Sequence, residues 1–80
     1  MNNEKITSIL NKKLNLDKIY VTGDYNHIKI IAIGDVFKNI NHVKRQQIIY
    51  APLINTITEK KIHAISITTY TKEEWKKTKK

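Results

Sequence analysis

A chain of 80 residues without a single cysteine must be held together by one hydrophobic core. A chain this short buries only about 60% of the surface its unfolded form exposes. It has no room for a second domain or a deep pocket, so residues 1–80 read as one domain. Disulfides are excluded, as is any metal cluster held by this chain's own thiolates. The longest apolar run, Ile30 to Ile33, falls far short of the roughly 20 residues that span a bilayer. Met1-Asn2-Asn3-Glu4 lacks the basic-then-apolar pattern of a secretory signal. A soluble, cytoplasmic protein is expected.

The net charge of +8 points toward nucleic acid or an acidic surface. Fourteen of the fifteen basic residues are lysine, and isoleucine and asparagine are also abundant, the trio that AT-rich codons favour. Much of the charge is therefore compositional. Arg45 is the one arginine, although arginine is preferred for bidentate phosphate or guanine contacts. The lysines within 76–80 read as a solvated, frayed tail.

Ile6, Ile9, Leu10 and Leu14 follow helical spacing and predict a helix over 3–14. Ile19 and Val21 alternate with polar neighbours in a strand over 18–23. Gly23-Asp24-Tyr25-Asn26 supplies turn chemistry, and a second strand runs from His27 to Ile33 to complete a hairpin. After Gly34-Asp35, residues 36–40 read as an irregular or single-turn stretch, with Phe37 as a core anchor. Asn41 caps a longer helix carrying Val43, Gln47, Tyr50, Ile54 and Ile57 on or near one face, bent at Pro52. Ile62 to Thr69 alternates and is β-branched, which predicts the third strand. Thr71-Lys72-Glu73-Glu74 is a capping box that opens a short last helix carrying Trp75. Trp75 and Tyr50 read as core or rim packing. The order is αββ(α)αβα.

Connection lengths then set the topology. The tight turn makes strands one and two antiparallel. A helix-containing crossover between strands two and three makes them parallel if they are neighbours. Parallel strands start at one end of a sheet, so His27 and His63, which open strands two and three, project at one edge.

Several chemistries are absent. Gly23 and Gly34 are the only glycines, so no phosphate-cradling loop and no GxxG clamp for single strands is present. His27, His42 and His63 form no HExxH pair, and Ser8 and Ser66 lack a recognisable local triad. His63 is open to two readings: a boundary histidine bonded to a backbone carbonyl, or a neutral imidazole that ligates a metal with His27 as a second ligand. Two histidines without a thiolate make an incomplete zinc or iron site, so another molecule would have to complete the shell. His42 reads as an exposed residue at a helix start. Lys44 and Arg45 could hold phosphates and Gln46 could read an adenine edge, although a solvated helix face is the commoner outcome for such a run.

Three stretches together resemble one family. Gly23-Asp24-Tyr25-Asn26-His27-Ile28-Lys29-Ile30-Ile31-Ala32-Ile33-Gly34 is similar to the hairpin of the BolA-like proteins, especially their YrbA/IbaG branch. So is Val43-Lys44-Arg45-Gln46-Gln47-Ile48-Ile49-Tyr50-Ala51-Pro52-Leu53, with its in-helix proline. Ile62-His63-Ala64-Ile65-Ser66-Ile67, followed by Tyr70-Thr71-Lys72-Glu73-Glu74-Trp75, resembles the family's ending. The resemblance covers nearly the whole chain.

It implies an α+β, αββααβα class II KH-like fold without the GxxG loop: a three-stranded mixed sheet with helices packed on one face. It also implies a monothiol glutaredoxin partner and a shared [2Fe-2S] cluster. Glutaredoxin cysteine and glutathione would hold the cluster on one side and this chain on the other. His63 falls on the family's histidine ligand. The family's second ligand lies in the loop between strands one and two. That loop here is only Asp24 to Asn26, which leaves His27 as the local candidate. The family's Phe-x-Gly appears as Phe37-Lys38-Asn39, where asparagine tolerates a left-handed backbone.

The expected function is therefore a non-enzymatic iron–sulfur adaptor, monomeric alone and heterodimeric with glutaredoxin, acting in cluster trafficking or the iron and acid-stress response. The alternative is a DNA-binding transcriptional regulator that uses the Lys44-Arg45 helix.

Overall fold

The computed structural model describes residues 3–24 and 26–78. Tyr25 of the expected turn, Lys79 and Lys80 of the lysine-rich tail, and residues 1–2 lie outside the described residues. The elements are α1 (Asn3–Lys13), β1 (Lys18–Gly23), β2 (Ile28–Ile33), α2 (His42–Tyr50), α3 (Ile54–Glu59), β3 (Ile65–Tyr70) and α4 (Lys72–Thr78), with 3-10 turns at Asp35–Phe37 and Ala51–Leu53. The sheet order is β1-β2-β3. β1 pairs antiparallel with β2, and β2 pairs parallel with β3 in a continuous register from Ile28↔Ile65 to Ile33↔Tyr70. The crossover thus has the geometry that its length requires.

Local signals act where the sequence carries them. The Asn41 side chain accepts the Lys44 amide at 2.9 Å and caps α2. Thr71 and Glu74 satisfy each other's amides at 2.8 and 3.2 Å, closing the capping box that starts α4. Asn39 adopts φ 63°, the left-handed conformation expected where the family has glycine. Phe37 is fully buried.

The core joins Ile6 and Leu10 of α1, Ile28, Ile30 and Ala32 of β2, Phe37, Ile49 and Leu53. This places α1, α2 and the Pro52 turn on one face of the sheet. Residues 20, 31, 33 and 70 point to the other face by strand alternation. There Trp75 sets its ring 6.1 Å from Tyr20 and 5.2 Å from Tyr70. The single helical layer therefore holds for the first three helices, while α4 folds Trp75 onto the opposite face.

Two expectations need correction. The face read for the helix after Asn41 carries Val43, Gln47, Tyr50, Ile54 and Ile57; of these, Ile57 packs half-buried against the core, while the other four face outward, Val43 at 68% exposure. The fully buried stripe is Arg45, Ile49, Leu53 and Thr56. Pro52 divides the segment into α2, a 3-10 turn and α3. The buried stripe begins with an arginine that hydropathy scores as solvent-facing. Strand boundaries also move. β2 opens at Ile28 and β3 at Ile65, so His27 and His63 precede their strands rather than open them. The reason at His63 is the end of α3. The Ile62 amide bonds the Ile57 carbonyl and the Lys61 amide the Thr58 carbonyl, a Schellman closure with Lys61 at φ 53°. That turn keeps residue 62 out of the ladder.

Candidate functional site

The hairpin and the α3–β3 connection bring the two histidines to one end of the sheet. The Ile28 amide donates to the Ala64 carbonyl at 3.0 Å, and His27 and His63 are the residues immediately before each partner. Half-buried Ile62 and Ile65 pack against the core on either side of exposed His63 and Ala64. His63 is thus held by its neighbours and not by its own ring, which makes no hydrogen bond to another described residue.

His27 is positioned by the turn. Asp24 and His27 exchange backbone bonds at 3.1 and 3.2 Å, and Asp24 Oδ1 accepts the Asn26 amide at 2.9 Å. Gly23 makes this turn possible. Its φ is +100°, and a Cβ there would collide with the His27 carbonyl oxygen. The His27 Nε2 lies 2.6 Å from Ser66 Oγ. That bond orients the ring and occupies one of its two nitrogens. Nδ1 remains for a ligand, or Nε2 after the hydroxyl rotates away. Ser66 is a contributor that sequence reasoning considered only as a nucleophile. Its alternation in β3 was legible, but its approach to His27 depends on the parallel register.

The tentative contact set Lys44, Arg45 and Gln46 does not act together. Lys44 and Gln46 are exposed, but Arg45 is 5% exposed. Its Nε donates to the Ile40 carbonyl at 2.7 Å, and Nη1 meets Glu74 Oε1 at 2.8 Å. Arg45, read from the sequence as a nucleic-acid or partner contact, is thus taken up within the fold, where burying its charge requires the Glu74 carboxylate. Hydrogen bonds from Arg45, and then from the Thr71 amide, hold the Glu74 pKa at about 2. The capping box identified Glu74, but no local signal identified its arginine.

Among the described residues, no group of three or more His, Asp or Glu side chains could hold a metal ion. No helix of the described residues is long and apolar enough to cross a membrane.

The family described as BolA-like protein matches residues 6–74. A protein of Buchnera aphidicola subsp. Acyrthosiphon pisum is 66% identical over 80 residues, covering all of both chains. The acid stress protein IbaG of Escherichia coli is 41% identical, over 100% of this chain and 95% of its own length. BolA1 from Arabidopsis thaliana shares the fold with a TM-score of 0.80 at 23% identity, covering 92% of this chain and 96% of that one.

Proposed function

Because this chain belongs to the BolA-like family, we propose that it is a non-enzymatic cytoplasmic adaptor that docks a monothiol glutaredoxin and shares a [2Fe-2S] cluster with it. The observation that carries this reading is His63, an exposed imidazole at the end of the β2/β3 ladder with its backbone held by flanking core residues. A pre-positioned ligand loses little entropy when a partner arrives. His27 sits at the same end and is the second ligand, released from Ser66 on binding.

The donor set of this chain fits half of such a site. Imidazole suits iron, but the soft thiolates must come from elsewhere, here from glutaredoxin cysteine and glutathione. The cluster, when bound, supplies iron and sulfide for transfer or sensing. This chain's own residues present imidazoles and a docking face. Likeness to an acid stress protein supports a role for the adaptor in an acid-stress response.

Co-purification with a monothiol glutaredoxin, followed by a visible absorption spectrum, tests the reading. A coloured complex that loses its spectrum on His63→Ala is expected. A glutaredoxin that neither binds nor changes its spectrum in the presence of this chain would overturn it.

A further inference from the structure

The sheet has two edges, β1 and β3, and the molecule treats them differently. An open strand edge is a template for another extended chain unless it is covered, charged or bulged. In the hairpin, the Asp24/His27 pair exchanges both backbone bonds, so alternation turns the Val21 and Gly23 carbonyls away from β2. Asn3 covers that edge, with Nδ2 3.5 Å from the Val21 carbonyl and 3.4 Å from that of Gly23. Among the described residues, nothing covers β3 in this way. The Ile28 amide bonds Ala64 and the Gly34 amide bonds Tyr70, so even-numbered residues of β3 pair with β2. The backbone N–H and C=O groups of Ile65 and Ile67 therefore point outward, and no hydrogen bond from another described residue reaches them. The strand contains no lysine or proline, and its register shows no bulge.

A groove runs beside this edge. Val43, Tyr50 and Ile54 form its wall, and Ile65 and Ile67 its floor. The three wall residues are exposed apolar side chains of the outward face of α2 and α3. Gln46 and Ile67 also line a second depression that continues to His42 and Lys77. A chain laid along β3 would meet an apolar wall and then His42 and Lys77, the Glu74 carboxylate of that depression being paired with Arg45.

We propose that the β3 edge binds an extended peptide segment of another protein, one that alternates apolar and acidic residues, as an added strand. Ile65 and Ile67 supply main-chain hydrogen bonds, and the groove wall takes the apolar side chains. The net charge of +8 favours acidic residues and opposes a second copy of this chain. Burial of Arg45 removes the one guanidinium from phosphate contact, which favours a peptide over nucleic acid. The proposal does not rest on glutaredoxin binding or on metal ligation by the histidines.

Amide hydrogen exchange and NMR shifts on the full chain, with an octapeptide alternating valine and glutamate, test this. In the free protein, the Ile65 and Ile67 amides should exchange faster than those of Ser66 and Thr68. Saturating peptide should slow them by about tenfold or more. Val43→Asp should weaken the peptide about tenfold without changing the circular dichroism. A valine–lysine octapeptide should not bind. Three results would each overturn the proposal: no peptide effect at Ile65 and Ile67, protection that rises with protein concentration alone, or tighter binding of oligothymidylate at the same amides.

Discussion

Arg45 of α2 and Glu74 of α4, 29 positions apart in sequence, meet at 2.8 Å between Nη1 and Oε1. The same carboxylate oxygen accepts the Thr71 amide at 2.8 Å, and Arg45 Nε reaches the Ile40 carbonyl at 2.7 Å. One ion pair thus ties the loop before α2, α2 itself and the start of α4. Arg45→Ala should destabilise the domain by about 2 kcal/mol, the scale of lost charge-assisted hydrogen bonds reduced because Glu74 is partly solvated. Urea denaturation checks this. A loss within about 0.5 kcal/mol, as at ordinary surface sites, would contradict the structural role.

The same pair sets an acid dependence. The folded pKa of Glu74, about 2, lies below the ordinary 4.5. Its contribution to stability is therefore complete above the unfolded pKa and is lost as pH falls from about 4.5 through about 2. The stability difference between wild type and Glu74→Gln should be constant near neutral pH and shrink across that window. Denaturation midpoints collected at a series of pH values would show it. A difference that does not change with pH would assign the effect to something other than the carboxylate's charge.

Two backbone positions flank the histidines. Gly23→Ala forces a Cβ against the His27 carbonyl at positive φ and should cost about 2 kcal/mol or more, with shifted His27 resonances. Lys61, left-handed at φ 53°, should be improved by Lys61→Gly, by about 0.5–1 kcal/mol. Thermal denaturation distinguishes the two signs.

The isolated chain should remain colourless after iron–sulfur reconstitution, since it has no thiolate. His63→Ala should leave the circular dichroism intact and stability within about 0.5 kcal/mol, because the ring is exposed and its neighbours carry the packing. It should change or abolish the spectrum of the glutaredoxin complex. His27→Ala should alter that spectrum less and lose about 1 kcal/mol with the Ser66 bond. An unfolded His63→Ala variant whose residual complex shows a normal spectrum would make His63 a packing residue.

Any nucleic-acid binding should be weak, salt-sensitive and indifferent to sequence, because exposed lysines remain after Arg45 is buried. Lys44→Ala should reduce the slope of log affinity against log salt by about 1 if it touches a phosphate. Tight binding to one DNA site at physiological salt would favour the regulator reading.

Much of the fold was legible because its signals are local. Alternation at Ile19 and Val21 and over Ile62 to Thr69, the Asn41 cap and the Thr71/Glu74 box each involve groups a few residues apart. The parallel pairing followed from the crossover length, and with it the placement of both histidines at one end. The precise strand starts were not legible. The Schellman closure at Lys61 consumes the Ile62 amide, although Ile62 continues the β-branched pattern.

Element order, caps, crossover and the lack of any thiolate ligand are written in local patterns of residues. Long-range packing sets which stripe of α2 and α3 is buried, the Ser66 contact that holds His27, the placement of Trp75 of α4 on the second face, and the open edge of β3 among the described residues. Hydropathy ranks a side chain by its cost of leaving water as if alone. Arg45 leaves water because Glu74, contributed by a distant helix, replaces the lost solvation, and the apolar Val43, Tyr50 and Ile54 are turned outward by the same rotation of the helix.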